Sequence, residues 1–139
     1  MTAPSLTGGC LCGAIRFELT ASPVKATYCH CTRCQRRTGT ASSAQAVVEP
    51  GTVRWLAGED EIRFWWPENG GNGKGFCPSC GSHLCSKRPG ASEVMSIRLG
   101  AFDADPGVRP ELRQWVSSAA AWEPIPDDGL ERYPGSSFG

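Results

Sequence analysis

Cysteine is the residue that most constrains this chain. Eight cysteines stand among 139 residues, and seven of them fall into three tight clusters: Cys10-Leu11-Cys12, Cys29-His30-Cys31-Thr32-Arg33-Cys34 and Cys77-Pro78-Ser79-Cys80, with Cys85 apart. Neighbours such as Cys10 and Cys12, or Cys29 and Cys31, strain to bridge each other but readily share one metal ion. No export signal is visible in Met1 to Thr7, so the chain reads as cytoplasmic, where thiols stay reduced. The alternative is a disulfide-stapled secreted domain whose signal has been trimmed, and the close spacing argues against it.

Zinc in structural sites takes four ligands tetrahedrally, whereas a catalytic or substrate-binding zinc keeps an open position. Seven clustered cysteines do not divide into two closed sites, and the economical partition is four plus three. Cys10, Cys12, Cys77 and Cys80 close one structural site, worth on the order of 10 kcal/mol to folding. Cys29, Cys31 and Cys34 hold a second zinc with a vacant corner. His30, His83 or Cys85 could still fill that corner and close the site; His30, between two ligating cysteines, is expected to point its ring away. Three thiolates make the second ion a weak Lewis acid that suits a soft sulfur ligand better than hydroxide chemistry. Arg33, Arg36 and Arg37 flank the triple and either meet the carboxylates of an acidic thiol or form a solvated face.

Composition excludes other classes. Fourteen Lys and Arg balance fourteen Asp and Glu, so no nucleic-acid partner is expected. No apolar run approaches the roughly 20 residues of a membrane span. Seventeen Gly and 11 Pro suit a turn-rich β domain rather than a helical bundle. Ile15, Phe17 and Leu19 alternate with polar neighbours, as do Val53, Trp55 and Ala57, then Ile62, Phe64 and Trp66, and then Met95, Ile97 and Leu99, with Ser96 and Arg98 opposite. Gln45–Glu49 and Glu111–Val116 read as further strands. Thr32–Arg37 reads as one short helical turn that Gly39 ends. The reading is a single all-β domain over residues 1–139, with its core at about 8–116 and an irregular tail at 123–139. The five tryptophans are assigned to core or rim packing.

Three stretches carry a resemblance: Gly9 to Phe17, Cys29 to Gly39 and Phe76 to Ser82 closely resemble the glutathione-dependent formaldehyde-activating enzyme family. The resemblance runs from about Gly8 to Leu99 and more loosely to Tyr133. It implies a compact tent-like arrangement of short twisted antiparallel sheets built around a structural zinc, a fold shared with Rab-binding zinc proteins and methionine sulfoxide reductase B. It implies two zincs per chain, divided as above, and a carbon–sulfur lyase activity run in reverse as addition of glutathione, or another small thiol, to formaldehyde or a related aldehyde. Arg36, Arg37 and Lys74 are the candidate substrate contacts. Two other functions stay open: a non-catalytic zinc module that binds a protein partner, and a thiol redox enzyme built on Cys85 with His83 nearby. The oligomeric state is not legible in the sequence.

Overall fold

A computed structural model describes residues 6–137. Eleven strands and one helix follow one another: β1 (Leu6–Gly9), β2 (Arg16–Leu19), β3 (Lys25–Cys29), α1 (Thr32–Thr38), β4 (Ser43–Val47), β5 (Val53–Ala57), β6 (Arg63–Trp65), β7 (Gly73–Phe76), β8 (His83–Lys87), β9 (Val94–Arg98), β10 (Pro110–Gln114) and β11 (Glu131–Arg132). They form a three-stranded sheet, β1-β2-β5, and an eight-stranded sheet, β11-β10-β3-β4-β9-β8-β7-β6. The fold is all-β, as the alternation implies. The pairing is antiparallel except where β10 runs parallel to both β3 and β11. That exception departs from the all-antiparallel expectation. The long connection from β9 brings β10 back beside β3 in the same direction, a route no local pattern encodes.

The alternation in β2 does what it predicts: Ile15, Phe17 and Leu19 are buried. They meet Leu84, Ile97 and Val94 of the large sheet, so the core lies between the two sheets. Phe17 is its centre, edge-on to Trp55 at 5.9 Å and to Phe102 at 5.5 Å. Such pairs add to area burial because ring edges and faces carry opposite partial charge. Trp55 packs on this core, but Trp65, Trp66, Trp115 and Trp122 are exposed, so four of the five tryptophans lie outside it.

Five strands, β1, β3, β7, β8 and β11, are not among those that alternation reveals. The chain over β7 reads Gly-Lys-Gly-Phe, and Gly75 faces Cys85, where an added Cβ would sit 2.6 Å from the sulfur. The tail also does more than wrap the surface. Glu131–Arg132 extends the sheet beside β10, and the backbone N–H groups of Trp115 and Val116 bond to the carbonyls of Gly135 and Tyr133.

The large sheet has two unlike faces. Ala26, Ala46, Ile97 and Cys85 sit in register on the core side. Thr27, Gln45 and Arg98 make the next row on the other side, with Cys29 opposite Ser43 and Ser86 opposite Ser96. These polar residues are nevertheless buried. Ser96 and Arg98, which alternation alone would leave facing water, therefore face an enclosed polar layer.

Close approach of β1 to the segment after β9 requires glycine. A Cβ on Gly8 would lie 2.2 Å from the Ala101 carbonyl oxygen and 2.6 Å from the Phe17 ring. Gly8→Ala is expected to lower stability by about 1–3 kcal/mol in urea unfolding. Gly100→Ala, where an added Cβ meets nothing within 4 Å, should change it by no more than about 0.5 kcal/mol.

Candidate functional site

The turn after β1 presents Cys10 and Cys12, and the turn between β7 and β8 presents Cys77 and Cys80. The second turn closes on its own backbone, with Cys77 N–H donating to the Ser82 carbonyl at 2.9 Å and Gly81 N–H to the Cys77 carbonyl at 2.8 Å. Gly81 has a φ of 79°, the left-handed conformation that this turn requires. Ser82 ties the two arms together. Its hydroxyl accepts from Leu11 N–H at 2.9 Å and lies 3.1 Å from the Cys80 sulfur.

The four Sγ atoms of this group lie within 4.8 Å of one another. Cys12 is 3.6 Å from Cys10 and 3.9 Å from Cys77. Tetrahedral Zn–S bonds of about 2.3 Å place sulfurs about 3.8 Å apart, so the donor set and its spacing fit zinc. The Ile15 N–H donates to the Cys10 sulfur at 3.3 Å, which offsets thiolate charge. Cys10 and Cys77 belong to the core cluster between the sheets, while Cys12 faces solvent.

A second group comprises Cys29, Cys31 and Cys34, again within 4.8 Å of one another. Cys29 ends β3. Cys31 is the N-cap of α1, and its sulfur accepts from Cys34 N–H at 3.3 Å. Gly39 ends the helix in the left-handed conformation, with φ 69°. A helix of seven residues is marginal by itself. Gln35 steadies this one, since its amide nitrogen lies 2.8 Å from the carbonyls of both His30 and Ser118. Hydrogen bonds from Cys29 and Cys31 hold the Cys34 thiol well below the ordinary thiol range, with Ser43 and the Arg98 charge adding to the effect. Contacts with Cys31 and then Cys34 push the Cys29 thiol up. Such a trio is one charge-sharing unit, which a divalent cation would stabilise as three thiolates.

Among the described residues the second group ends at three: no other His, Cys, Asp or Glu joins it. His30 is buried with its Nε2 accepting from Arg113 at 3.1 Å, and Arg113 is held in turn by Asp128 at 2.8 Å. Its ring thus serves the anchoring of the tail. Cys85 is buried, and burial pushes its thiol up to about 12. A reactive thiol needs the opposite environment, electropositive and partly open.

Two cavities border the trio. Cys29 and Cys34 line a small polar chamber of about 70 Å³ together with Gln45, Lys74 and Arg98. Cys31 lines a wider cleft of about 280 Å³ with Arg33, Trp115 and Ser118. Trp115 is the single non-glycine among the described residues with a left-handed backbone, at φ 58°, and its indole is half-exposed at this cleft. Arg33 reaches across to the Asn69 side chain at 2.8 Å and so joins α1 to the loop before β7.

Of the three candidate substrate contacts, Lys74 is brought to the trio. Arg37 turns toward the rings of Trp65 and Phe76, 5.5 Å and 6.0 Å from their centroids. Arg36 is exposed on α1, and neither arginine lines the chamber or the cleft. Arg98 and Gln45 are residues the sequence reading did not single out as site residues. The one signal was Arg98 in the polar phase of an otherwise apolar strand, a pattern that more often marks a solvated face.

Comparisons with known proteins agree with the thiol pattern. The family model described as glutathione-dependent formaldehyde-activating enzyme matches residues 5–118. Among curated proteins none matches the chain. Among solved structures, the crystal structure of a Rhodobacter sphaeroides protein is similar, with a TM-score of 0.54 and 22% identity over 91% of this chain and 98% of that one. At that identity the likeness speaks for the fold. The family model spans most of the sequence and includes all three cysteine motifs, so the chain belongs to the family of glutathione-dependent formaldehyde-activating enzymes.

Proposed function

We propose that the protein is a zinc-dependent carbon–sulfur lyase-like enzyme. It adds a small thiol such as glutathione to formaldehyde or a related aldehyde, or catalyses the reverse cleavage, in a cytoplasmic setting. Two zincs per chain are proposed, one held by Cys10, Cys12, Cys77 and Cys80 and one by Cys29, Cys31 and Cys34. The observation that carries the reading is that the second thiol group ends at three among the described residues. A zinc ion held by three thiolates takes a further soft sulfur ligand and keeps it deprotonated near neutral pH.

The chain's own residues do the rest. The N-cap geometry of Cys31 and the amide of Cys34 fix the spacing of the trio before any substrate arrives. The wide cleft beside Cys31 has room for the body of a thiol, with the Trp115 ring and the Arg33 guanidinium as its walls. A guanidinium pairs bidentately with a carboxylate, so an acidic thiol such as glutathione fits this side. Arg36, Arg37 and Lys74 remain the further proposed substrate contacts, with Lys74 on the chamber side. The Cys85 redox alternative is disfavoured by that thiol's burial and raised pKa. The partner-binding alternative expects a fourth ligand on the trio.

Incubation with glutathione and formaldehyde should give S-hydroxymethylglutathione faster than the uncatalysed reaction; a background rate for glutathione and for other small thiols overturns the reading. Metal analysis should find two zincs, the one at the trio exchanging faster under chelator. Cys77→Ser is expected to abolish the cooperative thermal transition, since a closed thiolate site carries folding energy. Cys31→Ser should stay folded by circular dichroism with its adduct rate at background, and equal unfolding of the two variants would make both groups structural. Cys85→Ser should keep both zincs and its adduct rate; loss of activity with the metals retained would restore the redox alternative.

A further inference from the structure

The chamber beneath Cys29 and Cys34 contains more positive charge than its neighbours can pair. Arg98 is buried, and one of its N–H groups donates to the Gln45 side-chain oxygen at 2.8 Å. Gln45 is itself fixed. The same oxygen accepts from the Ser43 hydroxyl at 2.9 Å, and its amide nitrogen donates to the Thr27 hydroxyl at 2.8 Å. Lys74 lies across the chamber from strand β7. The ion pairs among the described residues involve neither Arg98 nor Lys74. The anionic groups these two cations face are the thiols of the trio, which around a divalent ion would carry one net negative charge, so one cation is left for a further anion.

We infer that Arg98 and Lys74 make this chamber an oxyanion pocket, which takes the oxygen of a one-carbon carbonyl unit as a thiolate adds to it. In that addition the sulfur lone pair forms the S–C bond, and the π pair of the C=O bond moves onto oxygen. The oxygen then takes one proton, equal to the one the thiol gave up on ionising. Negative charge therefore travels from sulfur to oxygen, and preorganised donors at its destination lower the barrier. Charge bookkeeping agrees. Three thiolates around a divalent ion would leave one negative charge, an incoming thiolate would bring a second, and Arg98 and Lys74 carry the two charges that balance both. Size agrees as well. The chamber holds about 70 Å³, against about 150 Å³ for a cavity that admits benzene, so it suits a one-carbon unit better than an aryl aldehyde. The identity of the oxygen-bearing substrate rests on the thiol-plus-aldehyde reading, whereas the anion chemistry of the pocket does not.

Formate, a one-carbon oxyanion, is the probe. Calorimetric titration of the zinc-loaded protein should show formate binding that Arg98→Gln weakens at least tenfold with zinc content unchanged, Lys74→Gln weakens less, and Arg98→Lys largely restores. Formate affinity indifferent to Arg98→Gln would mean that the anion sits on the metal alone, and it overturns the inference. If Arg98→Gln does not fold, an anion series on the wild-type protein decides: benzoate binding at least tenfold weaker than formate supports the enclosed pocket, and equal binding overturns it. The two readings fail separately. Absence of adduct formation together with Arg98-dependent formate binding removes the substrate assignment and keeps the pocket. Adduct formation with Arg98-independent formate binding does the reverse.

Discussion

Sulfur-rich clustering at the junction of the two sheets is the constraint on which the rest of the molecule depends. Cys10 and Cys12 extend from the small sheet, Cys77 and Cys80 from a turn of the large one. Between the sheets lies a core whose largest fully buried side chains are few: Phe17, Ile15, Leu19, Leu84 and Ile97 head the list. A domain of this size can bury enough surface to fold, but short strands joined by glycine-rich turns leave little redundancy. Four thiols converging across the sequence close the gap between the sheets at one end, and Cys10 and Cys77 enter the same apolar cluster as Phe17. Fold and thiol group thus share residues at Cys10 and Cys77.

The second thiol group has a different setting. It stands on the polar face of the large sheet, where β3 ends and α1 begins, and it is bordered by cavities on two sides. Its surroundings are polar, cationic and already hydrogen-bonded to one another through Gln45. Enclosing a polar layer of this kind weakens a domain relative to an apolar one. That cost falls beside the thiols of the trio. The left-handed backbone of Trp115 lies on the other side of the same trio, at the cleft that Cys31 lines.

The tail contributes to this setting through one chain of contacts. Asp128 holds Arg113, Arg113 donates to His30, and His30 sits between two of the trio's cysteines. A segment that looks irregular by composition, rich in Pro, Asp and Gly, therefore helps to fix the position of the cysteine loop. Its β-bridge to β10 is parallel and spans only two residues, too short for any periodicity to announce it.

Cysteine spacing by itself determined the four-plus-three grouping, because ligands that share an ion must come from tight turns, and tight turns are local. Period-two alternation likewise determined β2 and its buried face, and the glycine after Thr38 determined where α1 stops. Tertiary structure alone decided what surrounds the trio. Arg98 reads as a surface residue until strand register places it beside Gln45 in a buried polar layer. Strands such as β7, held by glycine so that a neighbouring sulfur can approach, leave no hydrophobic signature at all. Burial of a polar side chain is a property of what lies across from it, and that is set by pairings between residues distant in sequence.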